Sequence, residues 1–198
     1  MRKPAELRKA EIVASVLSLA DRLGPDRVTT GAVASAIGVT HAAFFRHFPT
    51  KAAMWQAVAE HMVETMAAAW ETARAQQATP LERLSALIAA QLGQISATPA
   101  LPMLLFSREL NVENKVLRGA FRDALARYRE NLVREITSAQ RAGVLRSDIA
   151  AGDIGFLLTA LVQGVAIRWA LGARNFKLCE EGLRLLDVQL RLLAGKER

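Results

Sequence analysis

Apolar side chains recur every three or four residues along nearly the whole chain, the spacing that places them on one face of an α-helix. From Glu6 to Leu23, for example, the apolar residues share one such face, and Gly24 and Pro25 follow where the helix must end. No segment alternates apolar and polar residues as a half-buried β-strand would, and no internal repeat occurs. The pattern therefore predicts an all-α protein.

The segment 28–51 predicts two short helices in direct succession. Thr30 can cap the first helix, and Gly38 stands where the chain must turn sharply. Thr40 can cap the second helix, which is predicted to run to Phe48. A second helix with small, basic and aromatic residues on its outer face suits the major groove of DNA. An ordinary helix pair inside a helical core has the same periodicity, so the pattern alone leaves both interpretations open.

Four further helices are predicted downstream of this segment. Thr50 can cap the next helix, and the apolar pattern from there continues without a break for about seven turns. A capping box from Thr79 to Glu82 starts the next helix. A short helix is predicted from Met103 to Asn111 and a long one from Asn114 to Ala142. With 52% hydrophobic residues in the chain, these helices can form a packed core.

The last two predicted helices form a candidate four-helix dimer interface. The segment from about Gly152 to Leu171 is apolar nearly all round, which predicts burial on every side. The last helix, from Phe176 to Ala194, carries two adjacent apolar rows, which predict contact with its own core and with another surface. A single broad core face inside a monomer is the alternative. The predicted interface residues are Leu157, Leu161, Arg168, Leu183, Leu186 and Leu190.

Two polar residues interrupt the most apolar helix. Because Gln163 and Arg168 lie within it and it barely reaches spanning length, we expect a buried or interface helix and no membrane span. A buried Arg168 guanidinium would need a partner, which could be Glu109, another carboxylate or an acidic ligand. A salt bridge within the dimer interface is the expectation.

The net charge of +7 favours a polyanionic partner. Up to Lys51 the chain has eight Lys/Arg and four Asp/Glu, whereas the remaining residues have 18 and 15. The positive excess is therefore concentrated near the N-terminus, as contact with DNA phosphates requires. We expect Arg2, Lys3, Arg8 and Lys9 near the DNA backbone, although a solvated basic tail is equally consistent with their positions.

The residues of segment 28–51 also carry a family resemblance. The residues that carry it are the run from Thr29 through Ala34, then Ile37-Gly38-Val39-Thr40, Phe44-Phe45-Arg46-His47-Phe48 and Lys51. Together they resemble the DNA-binding signature of the TetR family of bacterial transcriptional regulators. The resemblance implies a homodimeric repressor of nine or so helices that binds a palindromic operator. It also implies a helix-turn-helix domain over residues 1–51 and a ligand-binding and dimerisation domain over residues 52–198.

The resemblance implies roles for individual residues of the helix-turn-helix. Phosphate contacts fall on Thr40, His47 and Lys51, and on Thr29 or Thr30 at the start of the second helix. Base contacts fall on His41, Ala42, Ala43, Phe45 and Arg46. The family usually has Tyr at the position of Phe45, so a hydroxyl contact is missing there. Alternatively, His47 is a packing residue, Phe45 belongs to the core and Arg46 is a solvated charge.

A small-molecule effector is expected between the central helices. Large or polar residues on otherwise apolar faces are the candidate lining, and apolar walls with few polar groups suit a hydrophobic or aromatic compound. These candidates are Met62, Met66, Trp70, Met103, Phe106, Phe121, Gln163 and Trp169. Each of them could instead be a plain core residue. A DNA-binding dimer without a small-molecule ligand, whose C-terminal domain only dimerises or binds a protein, is the alternative function.

The sequence does not indicate an enzyme, a metal site or a cofactor. The three histidines are not paired at metal-ligand spacing, and no glycine-rich phosphate loop occurs. The single cysteine, Cys179, lies in an apolar helical pattern and is expected to be a small core residue. One cysteine excludes an intrachain disulfide and suits a reducing compartment, so we expect a cytoplasmic protein.

Overall fold

The computed structural model describes residues 5–195. Within that range the chain forms ten α-helices, one 3-10 turn and no β-strand, which confirms the all-α prediction. A single bridge pairs Leu145 with Ala194. The helices are α1 (Ala5–Leu23), α2 (Thr30–Ala36), α3 (His41–Phe45), α4 (Lys51–Ala75), α5 (Pro80–Ala97), α6 (Leu101–Phe106), α7 (Arg108–Glu113), α8 (Lys115–Arg141), α9 (Ala151–Leu171) and α10 (Leu178–Leu192), and the 3-10 turn is Pro25–Arg27.

Contacts divide the chain into two compact units. The first contains the chain up to Glu64 together with Thr98–Arg122, and the second contains Thr65–Ala97 and the chain from Asp123 onward. This division falls inside α4 and assigns α6 and α7 to the first unit. The family resemblance implies a boundary between residues 51 and 52, at the start of α4.

The first unit is built around the helix-turn-helix. Helix α1 packs against α2, and α2 packs against α3. Ile12, Val16, Val33 and Phe44 are completely buried there, because the spacing of three and four places them on the facing sides of the three helices. Arg2 and Lys3 lie outside the described residues. Arg8 pairs with Glu11 and Lys9 with Glu6 on the surface of α1.

Gly38 makes the sharp turn between α2 and α3. Its φ is +65°, in the left-handed region that only glycine adopts without strain. The N–H groups of Gly38 and Val39 donate to the carbonyls of Ser35 and Ala34, at 3.1 and 3.0 Å. This pair of hydrogen bonds is the Schellman motif, which satisfies the last free carbonyls of α2.

The second unit is organised around α5, α9 and α10, which pack against one another. Gly182 on α10 makes the close approach possible, since a Cβ atom there would lie 2.4 Å from Cδ1 of Leu92 on α5. Gly155 has the same role on α9, where a Cβ would lie 2.7 Å from Val133. Small residues at these two positions therefore set the distances between helices.

The structure corrects several predicted helix limits. Thr29, and not Thr30, caps α2, and α3 ends at Phe45 instead of Phe48. The predicted helix from Met103 to Asn111 is two helices, α6 and α7, because Ser107 has extended backbone and caps α7.

Helix α9 is not buried on every side, as the sequence predicts. Phe156, Leu157 and Leu171 are 58%, 52% and 76% exposed. By length and composition alone α9 could cross a membrane, but a core helix of a soluble protein passes the same test. The amino-acid composition of α9 predicts that the helix is apolar. Which of its faces is covered depends on how the other helices pack against it.

Candidate nucleic-acid interface and effector region

Three threonines fix the starts of the helices in the helix-turn-helix region. The Thr29 hydroxyl accepts from the Ala32 amide at 3.1 Å, and the Thr40 hydroxyl accepts from the Ala43 amide at 3.2 Å. The Thr50 hydroxyl accepts from Ala53 at 3.0 Å and starts α4. Each bond satisfies a backbone donor that the first turn of a helix leaves unpaired.

The aromatic residues in and just after α3 separate into a buried and an exposed set. Phe44 and Phe48 are buried, with ring centroids 6.0 Å apart. Phe45 is exposed, so it does not belong to the core, which was one alternative from the sequence. His41, Ala42 and Arg46 are also exposed, whereas Ala43 and His47 are half-buried. The exposed side of α3 therefore carries most of the residues predicted to contact bases.

Side-chain contacts hold His41 on this exposed side. Its Nε2 lies 3.0 Å from the hydroxyl oxygen of Thr30, and its ring meets Phe45 edge-on at a centroid distance of 4.7 Å. Arg46 and Lys51 are exposed, and in the described part of the chain neither is paired with a carboxylate. Their positive charges are thus available to an anionic partner.

A buried polar cluster lies in the second unit. The indole Nε1 of Trp70 donates to Oε1 of Gln91 at 2.8 Å, and Nε2 of Gln91 lies 3.8 Å from Sδ of Met66. The rings of Trp70 and Tyr128 are 5.2 Å apart. Within residues 5–195 the buried Tyr128 hydroxyl has no hydrogen-bond partner, and burial raises its pKa well above the usual range. The hydroxyl is therefore a neutral, unsatisfied group in an apolar interior.

The predicted effector residues fall into both compact units. In the second unit Met66, Trp70 and Trp169 are buried and Gln163 is half-buried. In the first unit Met62 and Phe121 are buried. Met103 and Phe106, also in the first unit, are 43% and 53% exposed, so the structure corrects their expected position on the wall of an interior site. The residue types alone do not predict which face of α6 is exposed to solvent.

Sequence reasoning missed Gln91 and Tyr128. Gln91 is the one polar residue among the buried positions of α5, so its signal was a polar side chain inside an apolar stripe. Tyr128 is the only tyrosine in the chain, and it sits on the buried face of α8. A polar group on an apolar face requires a partner, and that requirement could have identified both residues.

A groove of about 500 Å³ opens on the surface of the second unit, between α8 and α9. The guanidinium carbon of Arg129 lies 4.2 Å from the centre of the Phe156 ring at this groove. None of the residues predicted to bind an effector lines it. The groove is thus separate from the buried polar cluster.

The predicted dimer residues differ in exposure. Leu157 and Leu183 are exposed, and Leu161 and Leu190 are half-buried. Leu186 is only 2% exposed, so the structure corrects this assignment, because a partner cannot reach a side chain already packed in its own core. Two adjacent apolar rows on α10 did not indicate which one faces inward.

Arg168 does not have the buried guanidinium expected from the sequence. Its side chain is 61% exposed and pairs with Glu181 on α10 at 3.7 Å. The guanidinium also lies 5.3 Å from the centre of the Phe176 ring. Since this ion pair lies within one chain, it does not require a partner subunit.

Comparisons with known proteins agree with the fold and the helix-turn-helix. Residues 12–58 match the bacterial regulatory proteins of the tetR family, and residues 80–193 match the C-terminal domain of BetI-type transcriptional repressors. Nucleoid occlusion factor SlmA of Marinomonas sp. (strain MWYL1) is 25% identical over 157 residues, which are 79% of this chain and 80% of that protein.

Solved structures show the same architecture. A putative transcriptional regulator from Saccharomonospora viridis, in complex with choline, has a TM-score of 0.84, covering 97% of this chain and 100% of that chain at 21% identity. The ketosteroid transcriptional regulator KstR2 of Mycobacterium tuberculosis has a TM-score of 0.79, covering 96% of each chain at 17% identity. At these identities the likeness shows the fold alone.

The two family matches cover both the helix-turn-helix and the C-terminal helices, and the second alone spans more than half of the 198 residues. The matched families are transcriptional regulators and not enzymes. The chain belongs to the TetR family of bacterial transcriptional regulators.

Proposed function

We propose that this regulator is a cytoplasmic repressor that binds a palindromic operator as a homodimer and is released by a small, hydrophobic effector. TetR-family regulators bind operator DNA and form dimers. The proposal extends this general activity to repression, to an effector and to particular residues of this chain.

In the proposed complex, exposed residues of α3 enter the major groove. Thr29, Thr40, His47 and Lys51 hold phosphates and fix the position of the helix. His41 and Arg46 supply most of the polar contacts to base edges. Ala42, Ala43 and Phe45 offer only apolar contact, for example with a thymine methyl group. Dimer symmetry would place the two half-sites about 34 Å apart, or a small multiple of that distance.

The dimer would form through the exposed faces of α9 and α10. Leu157 and Leu183 are exposed on those faces, and Leu161 and Leu190 are half-buried on the same two helices. A dimer interface of this kind buries apolar side chains that are exposed in the single chain.

The observation that supports an effector is the buried Tyr128 hydroxyl. A buried polar group without a partner costs about 1–3 kcal/mol, so such groups are uncommon unless they have a use. The Tyr128 ring packs against Trp70, which is itself bonded to Gln91, and the hydroxyl would give an apolar ligand one polar anchor. The effector would act by binding more tightly to a conformation that does not fit the operator.

Salt-dependent DNA binding tests the DNA-binding part of the proposal. The intergenic DNA upstream of the gene, labelled with a fluorophore, is titrated with protein at several salt concentrations. We expect Lys51→Ala with His47→Ala to weaken binding, and the salt slope to fall by about 1 for the lost lysine contact. Arg191→Ala is the matched control, because it also removes an exposed positive charge but lies on α10. Unchanged affinity and slope in the double variant would reject the assignment.

A thermal-shift screen tests the effector. The panel contains choline, because the Saccharomonospora viridis structure holds it, together with hydrophobic and aromatic compounds. A ligand at about 100 times its Kd stabilises the protein by about 2.7 kcal/mol, a readily measured rise in Tm. Compounds that raise Tm are then tested for release of the operator DNA.

Tyr128→Phe is the diagnostic variant for the screen. Without ligand it should be at least as stable as the wild type, because the change removes an unsatisfied buried hydroxyl and little volume. It should, however, lose the ligand-induced rise in Tm. Equal shifts in the two proteins would show that Tyr128 is not the anchor, and a panel without any shift would favour a regulator that lacks a small-molecule effector.

A second function is supported by the curated relatives. Nucleoid occlusion factor SlmA is 25% identical over 79% of this chain, so nucleoid occlusion is the alternative. It would fit a DNA-binding dimer without a small-molecule ligand, whose C-terminal domain only dimerises or binds a protein. Mapping the bound sites on the chromosome separates the two functions. A repressor is expected at one or a few promoters, whereas a nucleoid occlusion factor is expected at many dispersed sites.

A further inference from the structure

A hydrogen bond joins the first residues of α2 and α3. Oγ1 of Thr30 and Nε2 of His41 are 3.0 Å apart, although the two residues are 11 positions apart in the sequence. His41 is exposed and Thr30 is half-buried. The bond therefore contributes little to the core, and its effect is on the position of the imidazole ring.

Thr30 differs in this respect from the neighbouring threonines. The hydroxyls of Thr29 and Thr40 accept from backbone amides and cap α2 and α3. The Thr30 hydroxyl caps neither helix and is bonded to His41 instead.

The imidazole of His41 is held from two sides. Thr30 occupies Nε2, and Phe45 packs edge-on against the ring at 4.7 Å and 71°. In the described part of the chain no hydrogen bond occupies Nδ1 of His41. A threonine hydroxyl can donate to a ring nitrogen or accept from it. Because Thr30 is bonded to Nε2, Nδ1 is the ring nitrogen that remains for a partner outside the protein.

We infer that Thr30 is a positioning residue for base recognition by His41: its hydroxyl engages Nε2 so that Nδ1 is the nitrogen offered to a base edge in the major groove. The inference rests on the proposed DNA-binding role of α3. A neutral imidazole presents a single donor or acceptor at Nδ1, and each base edge in the major groove carries a distinct pattern of donors and acceptors. An imidazole ring held in one position therefore favours one base pair over the others at the position that it contacts.

A different role for Thr30 is contact with a phosphate, as expected from the family resemblance. The two roles have different consequences. Loss of a phosphate contact weakens binding to all sequences equally, whereas loss of a positioning contact reduces the preference at the one base pair that His41 contacts.

Selection from a random DNA library distinguishes these roles. Wild type, Thr30→Val, Thr30→Ser and His41→Ala each select duplexes from a randomised pool, and the enriched sequences are compared position by position. Valine matches threonine in shape but lacks the hydroxyl, and serine retains the hydroxyl. Melting curves confirm that each variant is folded.

We expect Thr30→Val and His41→Ala to lose preference at the same position of each half-site, by about tenfold, the size of one good base contact. Thr30→Ser should retain the wild-type preference. The double variant Thr30→Val with His41→Ala should be no less selective than His41→Ala alone, because Thr30 acts through His41.

Three results would overturn the inference. They are unchanged preferences in Thr30→Val while His41→Ala loses one, unchanged preferences in His41→Ala, and a uniform loss of affinity in Thr30→Val for every sequence. If the wild-type protein enriches no sequence at all, the proposed operator binding is itself rejected, and this inference fails with it.

Discussion

The indole nitrogen of Trp70 donates a 2.8 Å hydrogen bond to the side-chain carbonyl of Gln91, and both side chains are buried. The bond joins the end of α4 to α5 inside the second compact unit. Since neither group can reach water, each depends on the other for its hydrogen bond. The pair is therefore a point at which a single substitution leaves a buried polar group without a partner.

We predict that Gln91→Leu lowers the free energy of unfolding by about 2 kcal/mol. Leucine removes the acceptor and leaves the Trp70 N–H buried and unpaired, although the volume changes little. The measurement is urea denaturation at neutral pH, followed by the far-ultraviolet circular dichroism of the helices.

The control is a double-mutant cycle with Trp70→Phe. Phenylalanine lacks the N–H, so Gln91→Leu should cost about 1 kcal/mol less in that background than in the wild type. Equal costs in the two backgrounds would mean that the hydrogen bond contributes nothing to the stability of the folded state.

We predict opposite effects of alanine at two glycines of the helix-turn-helix. Gly38→Ala should destabilise the fold by about 1–2 kcal/mol, because alanine is strained at a φ of +65°. Gly31→Ala, inside α2, should instead stabilise it by about 0.5–1 kcal/mol. Thermal unfolding of both variants is the measurement.

The comparison isolates the backbone because steric crowding is absent at both glycines. A Cβ at Gly31 or at Gly38 meets no atom within 4 Å. A loss of stability in both variants would show that something other than backbone conformation controls this turn.

The features that the sequence predicted correctly are local ones. The caps at Thr40 and Thr50, the turn at Gly38 and the capping box from Thr79 to Glu82 each depend on residues a few positions apart. Their chemistry is complete within one segment, so it can be recognised without a tertiary structure.

The features that the sequence missed depend on distant partners. Gln91 bonds to Trp70, 21 positions away, and Glu135 pairs with Arg83, 52 positions away. Helical periodicity shows that a residue lies on an apolar face, but it does not show which residue lies opposite. For the same reason it did not show that Leu186 faces its own core and that Phe156 is exposed.

Glu135 is almost completely buried and depends on two arginines. Nε of Arg83 lies 2.7 Å from its carboxylate, and Nη1 of Arg74 lies at 3.8 Å. We predict that Arg83→Gln lowers the free energy of unfolding by about 2 kcal/mol, less than for a fully buried pair because Arg83 is partly exposed to solvent. Urea denaturation gives the value.

An exposed ion pair on α10 is the matched control for Arg83. Arg191 and Asp187 approach to 2.7 Å but both are mostly exposed. Arg191→Gln should therefore change stability by less than about 0.5 kcal/mol. Similar costs at the two sites would mean that burial of Glu135 does not make its ion pair important.

The capping box at the start of α5 should make stability depend on pH. The backbone N–H of Thr79 donates to the Glu82 carboxylate at 2.9 Å, and the Thr79 hydroxyl donates at 2.8 Å. These bonds, the backbone one first, lower the pKa of Glu82 below its usual value of 4.5. A carboxylate whose pKa is lower in the folded state stabilises that state above pH 4.5, and this contribution disappears as pH falls through the folded-state pKa.

We predict that the difference in unfolding free energy between wild type and Glu82→Gln is larger at pH 6 than at pH 3. Glutamine can still accept the two hydrogen bonds, but it carries no charge to lose. The other carboxylates titrate in both proteins, so their contribution cancels when the two free energies of unfolding are subtracted. Thr79→Val should reduce the pH dependence only in part, because the backbone N–H of residue 79, the larger cause of the lowered pKa, still donates to Glu82. A difference that stays constant, or grows on acidification, would show that ionised Glu82 does not stabilise α5.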